Sequence, residues 1–303
     1  MPTRLARLIE NAIRGLRPLT NNMSLEAERA GQDFLGRVET RHIPDGISVI
    51  RSDIGDIPAE WFHPEGAADD AAIIYFHGGA YMAGSLVSNR VLALELATSL
   101  GMNVLSFEYR LAPENPYPAA LVDAMRVYGS VLELDVPAQR MSFIGDSAGG
   151  GLLCAAALRA KADGIELPNS LVMLSPWVDL TLSGETYETL KDRDPLLTKQ
   201  KLKRAAEYYV GDADAHDPYI SPVFGDFHGF PPALIHVGTH EVLLDDARML
   251  AKAMLRDGAE ATIEEWQGMW HVWHAFDIKE TRLALKRISE YVCGNMGMSK
   301  GDE

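Results

Sequence analysis

Gly145-Asp146-Ser147-Ala148-Gly149 sets a serine hydroxyl between two glycines, after the apolar run 141–144 and ahead of an alanine-rich stretch. That pattern suits a strand turning sharply into a helix. Such a corner leaves the Ser147 Oγ exposed, with the helix's free N–H groups and positive dipole end behind it. No lysine follows the glycines, as a phosphate-cradling loop would require. The chemistry open to this serine is attack on a carbonyl, and the resulting oxyanion needs preorganised N–H donors. His77-Gly78-Gly79-Ala80 follows another apolar run, 71–76. Glycines let backbone amides approach a ligand with no Cβ in the way. Gly78 and Gly79 are therefore the expected donors from this loop, and Ala148 the third.

A nucleophilic serine needs a base, and the base needs an orienting acid. On elbows of this kind the chain order is serine, acid, histidine. The acids after the run 233–237 are Glu241, Asp245 and Asp246, and helix-N-terminal capping is the expected role of the two aspartates. His271 and His274 both follow the last apolar run, 261–266. His271 falls in the loop at the strand's C-terminal end, where open α/β sheets meet ligands. His274 is expected in the first turn of the last helix. His236 reads as a core strand residue, and His240 precedes the acid in the chain. No HExxH pattern or cysteine pairing points to a metal site.

These residues need a scaffold. Apolar runs at 71–76, 103–109, 141–144, 171–174, 233–237 and 261–266 alternate with helical patterns near 88–100, 118–134, 148–162, 245–258 and 275–291. Buried runs alternating with helices imply a parallel sheet covered on both faces. Residues 47–51 and 59–63, separated by Gly55-Asp56, add an antiparallel edge. The interval from Leu174 to Ala233 has no clear strand and one helical stretch near 198–209, and insertions of that length are usually functional. It reads as a lid whose aromatics, Trp177 and Tyr209 among them, mostly fill its own core. Upstream, Leu5, Leu8, Ile9, Ala12, Ile13 and Leu16 recur at helical spacing, with the arginines largely off that stripe. This helix is expected to stop at Pro18 and to pack on its own protein. A second spans 25–35.

The joint pattern resembles the bacterial hormone-sensitive-lipase-like (family IV) esterases of the α/β-hydrolase fold. The residues that carry the resemblance are His77-Gly78-Gly79, Tyr109-Arg110-Leu111-Ala112-Pro113-Glu114 with Tyr117-Pro118-Ala119-Ala120, Gly145-Asp146-Ser147-Ala148-Gly149-Gly150, and Glu241-Val242-Leu243-Leu244-Asp245-Asp246. The resemblance runs from about 47 to 291. It implies a mostly parallel eight-stranded sheet with helices on both faces and a helical cap. It makes Glu241 the acid, where many relatives carry Asp, and it matches His271 as the base. His77 and Asp146 become supporting residues around the serine. It further implies a serine carboxylesterase acting on short- to medium-chain acyl esters through an acyl-enzyme, with no cofactor or metal. Ala80 departs from the family, which often has a third glycine there, but alanine keeps its N–H. Amidase, thioesterase and deacetylase chemistry would use the same residues. A small-molecule receptor of this fold that has lost the histidine is disfavoured by His271.

The expected division is a catalytic unit over 46–303, interrupted at about 180–220 by a cap that residues 1–45 join. The net charge is −15, from 43 acidic against 28 basic residues. That argues against nucleic acid as the main partner, because the phosphate backbone calls for a basic face. No apolar run reaches the roughly 18 residues of a membrane span. No secretory signal is apparent. Cys154 and Cys293 form neither a disulfide scaffold nor a zinc site. The expectation is a cytoplasmic enzyme with a small-molecule ester as its partner and no stable membrane insertion. Strand 261–266 is expected as an open edge that can pair across a homodimer.

Overall fold

The computed structural model describes residues 2–20, 23–134 and 136–298. Its strands are β1 Ile47–Ile54, β2 Ile57–Pro64, β3 Ala72–Phe76, β4 Asn103–Phe107, β5 Met141–Asp146, β6 Ser170–Leu174, β7 Ala233–Gly238 and β8 Ala261–Trp266. Its helices are α1 Arg4–Thr20, α2 Leu25–Glu39, α3 Arg90–Leu100, α4 Ala119–Leu132, α5 Ala148–Asp163, α6 Thr186–Thr189, α7 Lys199–Val210, α8 Leu244–Arg256 and α9 Lys279–Asn295. The strands form one sheet in the order β1-β2-β4-β3-β5-β6-β7-β8. β1 and β2 make a hairpin whose turn residues, Gly55 (φ 58°) and Asp56 (φ 63°), are both left-handed, the geometry that matches strand twist. β2 runs antiparallel to β4, and the later pairs are parallel.

Side chains alternate across the pleat, so each parallel strand feeds two cores. Ile74, Phe76, Phe143, Met173 and Ile235 pack with α4, α5 and α8. Ile73, Tyr75, Ile144, Val172 and Leu234 pack with α3 and α9. The strand order reverses around β3, which leads to β4 on one side while β4 crosses over to β5 on the other. Loops leaving β3 and β5 therefore diverge, and a crevice opens at their C-terminal ends. Phe76 pairs with Gly145 at its lip, which sets His77–Ala80 beside Ser147.

Four expectations are corrected. Helix α1 runs through Pro18 to Thr20. Proline costs a helix its N–H bond one turn back, and here only two residues follow it. The orientation of α1 also differs from expectation. Ala6 and Glu10 are buried, and Ile9 and Ile13 pack beside Trp270 and Trp273, but Leu5, Leu8, Leu16 and Leu19 face solvent. Polar contacts decide this. Arg14 donates to the carbonyls of Asp192 and Arg193, and Arg17 to those of Lys191 and Leu197. His274 lies in a 3₁₀ turn, Trp273–Ala275, ahead of α9, and that turn is held by Thr281 Oγ1 donating to the Trp273 carbonyl.

The fourth correction concerns the aspartates of α8, which brace the segment after β6 rather than cap their own helix. Asp246 is fully buried and accepts from the Val178 and Asp179 amides and from Tyr187 Oη. Asp245 accepts from the Thr186 amide at its partly exposed position. Asp246→Ala strands three buried donors and is expected to destabilise the protein by on the order of 3 kcal/mol. Asp245→Ala is expected to cost well under half of that, and urea unfolding of the two variants checks the contrast.

Candidate active site

Ser147 joins β5 to α5 at φ 53° and ψ −122°. L-residues rarely adopt this backbone, and strand-to-helix elbows store it. Its amide donates to the Leu174 carbonyl at 2.9 Å, and its carbonyl accepts from the Gly150, Gly151 and Trp177 amides. The flanking glycines are steric necessities. A Cβ on Gly145 would lie 2.7 Å from the Gly149 carbonyl carbon, and one on Gly149 would collide with the Phe76 carbonyl oxygen.

The structure brings Ser147, His271 and Glu241 together from three loops. Ser147 Oγ is 2.9 Å from His271 Nε2, and His271 Nδ1 is 2.8 Å from Glu241 Oε2. An ionised carboxylate can only accept, so Nδ1 carries the ring proton and Nε2 faces the serine as an acceptor. Glu241 is fully buried, and its Oε1 accepts from Ser175 Oγ at 2.9 Å and from the Gly238 amide at 2.5 Å. A Cβ on Gly238 would run into the Met269 carbonyl, so the His271 loop passes directly over the end of β7. The other histidines lie elsewhere. His240 Nδ1 is 3.0 Å from Glu10 Oε1, and His236 is buried in β7, 3.3 Å from His274 Nε2.

The glycine loop departs from expectation by one residue. The Gly78 amide donates to Asp146 Oδ1 at 2.9 Å, and a Cβ there would strike the same carboxylate. That N–H is satisfied within the protein and is not available to an oxyanion. The amides of Gly79, Ala80 and Ala148 have no acceptor among the described residues. Asp146 causes the shift: it also accepts from Tyr75 Oη at 2.6 Å, so it pins the first glycine to β5. Ala80, at φ 54°, takes the left-handed turn without a glycine's freedom. His77 supports the loop from beneath. Its ring stacks on Tyr109 at 4.1 Å, its Nδ1 donates to the Gly78 carbonyl, and burial pushes its pKa down to about 4.

Charge around His271 is set by competition. Burial of the ring disfavours the imidazolium, but the Glu241 hydrogen bond and the charges of Glu241, Asp194 and Asp146 outweigh it and raise the pKa above 6.5. Burial in turn raises the carboxyl pKa of Asp146 and of Asp194, against the donors that hold them.

Two contributors escaped the sequence reading. Ser175 sits at φ 50° just after β6, donates to Glu241 and accepts from the Val272 amide at 3.1 Å, so one hydroxyl positions both the acid and the histidine loop. Its only signal in sequence was its place at the C-terminal end of a strand next to the elbow. Asp194 is fully buried in the segment between α6 and α7, and it accepts from the Val242, Leu196 and Leu197 amides. No motif marks it. The charge argument yields a titration. His271 in the intact protein is expected to have a midpoint above 6.5. In Glu241→Gln, with burial left as the largest influence, the midpoint is expected to fall. Imidazole NMR across pH checks both.

Comparison with known proteins agrees with this geometry. The family model described as alpha/beta hydrolase fold matches residues 73–275. An acetyl-hydrolase of Streptomyces hygroscopicus is 44% identical over 246 residues, covering 80% of this chain and 81% of that protein. An esterase of Acinetobacter venetianus is 34% identical over 277 residues, 90% of each. Among solved structures, an esterase from the bacterial hormone-sensitive lipase family superposes with a TM-score of 0.92 at 34% identity, covering 98% of this chain and 100% of that one. A hormone-sensitive lipase from a metagenome library gives 0.92 at 36% identity, over 98% and 99%. With a matching family model, these relatives and its own eight-stranded sheet, the chain belongs to the α/β-hydrolase family, among the bacterial hormone-sensitive-lipase-type esterases.

Proposed function

We propose that this enzyme hydrolyses carboxylic esters of small acyl groups, with Ser147 as nucleophile, His271 as base and Glu241 as the orienting acid. The observation that carries the reading is the continuous path from Ser147 Oγ through His271 to Glu241, with links of 2.9 and 2.8 Å. Ser147 attacks the ester carbonyl as His271 Nε2 takes its proton, and Glu241 stabilises the imidazolium. The Gly79, Ala80 and Ala148 amides hold the oxyanion. His271 then protonates the leaving alcohol, and a water repeats the cycle to free the acid. Gly78, Asp146 and His77 position the loop and do not touch the substrate.

Buried aromatic side chains back the elbow. Tyr81 stacks on Tyr209 at 3.7 Å and meets Trp177 at 6.1 Å, and the Trp177 amide is bonded to the Ser147 carbonyl. The small acyl group of the reading is supported by the relative from Streptomyces, which is named an acetyl-hydrolase. Residues 1–45 and about 180–220 form the cap in this reading, tied to each other by Arg14 and Arg17. Cys154 and Cys293 lie in the cores on opposite faces of the sheet and do not bridge, which suits a reducing cytoplasm. β8 ends the sheet, and its free edge is the surface through which a homodimer would pair.

A panel of nitrophenyl esters from acetate to palmitate tests the reading. Turnover is expected to peak at short chains. Ser147→Ala is expected to lower kcat by up to about 10⁶. Glu241→Gln is expected to cost on the order of 10⁴ through a misplaced tautomer. The neutral imidazole is the base, so kcat/KM rises with pH through a midpoint above 6.5. Retention of most activity by Ser147→Ala overturns the mechanism.

A further inference from the structure

Helix α1 wears an apolar stripe outward. Leu5, Leu8, Ala12, Leu16 and Leu19 recur at three- and four-residue spacing and form one stripe. All five are exposed, Leu8 by 67% and Leu19 by 70%. The side facing the protein is mixed: Ala6, Ile9 and Ile13 pack with Trp270 and Trp273, Glu10 is buried against His240, and Arg14 and Arg17 are bonded to carbonyls of 191–197. Helix α2 likewise turns apolar residues outward. Arg29 donates to the Met82 and Ala112 carbonyls and Asp33 accepts from Ser85 Oγ, while Phe34, Leu35 and Val38 are exposed. A helix held by its own fold normally buries its apolar side, and a continuous exposed stripe marks a contact surface.

We infer that α1 docks reversibly on an anionic lipid surface, with its leucines among the acyl chains and Arg4 and Arg7 against headgroup phosphates. Charge selects this occupant. Arg4 and Arg7 are exposed on α1, which holds four arginines and one glutamate. The chain as a whole carries −15. Charges are screened beyond about 8 Å at physiological salt, so a surface touching α1 meets its arginines rather than the acidic body. Lipid phosphates neutralise those arginines, whereas the leucine stripe of a second copy offers them no anion. The described residues contain no helix long and apolar enough to cross a membrane, so the contact is interfacial. One amphipathic helix with two exposed arginines beside its leucines binds such a layer reversibly. Because α1 grips the 191–197 segment, whose Asp194 holds the Val242 amide beside Glu241, the docking face is mounted next to the site.

Flotation of the full chain with phosphatidylcholine vesicles, with and without added phosphatidylglycerol, tests this. The protein is expected to float with the anionic vesicles, far less with neutral ones, and less as salt rises. Leu8→Ser/Leu16→Ser is expected to weaken partition by at least about tenfold. Arg4→Glu/Arg7→Glu is expected to abolish the preference for anionic vesicles. Both double variants are expected to hydrolyse soluble nitrophenyl acetate as the parent does. No flotation at low salt, equal flotation with both vesicles, unchanged partition of the leucine variant, or a change in its sedimenting mass that assigns the stripe to a second copy would each overturn the inference. Partition is read without turnover and soluble turnover without vesicles, so failure of docking is distinguishable from failure of the hydrolysis proposal.

Discussion

At φ 53°, Ser147 fits between β5 and α5 only because Gly145 and Gly149 present no Cβ to each other or to the end of β3. That corner dictates much of what surrounds it. The strand order must reverse beside it so that the loop after β3 has room to pass. The first turn of α5 must be glycine-rich, because Gly150 lies against Pro176 and Gly151 against the Trp177 carbonyl. The strained backbone is held on both sides, by the Leu174 carbonyl and by the Trp177 amide. A conformation this sparsely populated persists only where its neighbours over-determine it.

Electrostatics is the second organising constraint. Glu241, Asp146 and Asp194 are buried acids near one imidazole, and each is held by two or more hydrogen bonds from the protein. Buried charge is tolerable only when paired in this way. The Glu241 hydrogen bond, with their charges behind it, is the reason a buried histidine still binds a proton more tightly than a free one. Among the described residues His274 bonds no carboxylate, and burial drives its pKa well below the usual histidine value. Two histidines three residues apart thus differ in charge behaviour because of the carboxylates around them.

The sheet was legible because the inner parallel strands, buried on both faces, are continuous apolar runs, and they fell within a few residues of their expected bounds; the half-exposed edge strand β8 was placed by its position after the last turn. The order serine, acid, histidine was legible because each follows a strand whose position the runs reveal. What was hidden depends on direction in space. No residue type says which amide of His77-Gly78-Gly79-Ala80 an adjacent aspartate will consume, and Asp146 takes that of Gly78. Periodicity gave α1 its stripe but could not say which side would meet the protein, since Arg14 and Arg17 find carbonyl partners about 175 residues away. Ser175 and Asp194 act through contacts between distant segments, and neither sits in a pattern of its own.

Tyr81 follows directly on Ala80 and lies face to face with Tyr209 of α7, whose carbonyl accepts the Tyr117 amide. Arg29 of α2 holds the Met82 carbonyl one residue further along. The loop bearing the Gly79 and Ala80 amides is thus gripped from outside by α2 and α7. In the proposed mechanism, admission and precision then share the same contacts. An ester bulky enough to displace α7 also loosens the grip on Tyr81 and, through it, the aim of the Gly79 and Ala80 amides. Under that mechanism, discrimination against large substrates would be exerted twice, once on entry and again on the speed of the bond-breaking step.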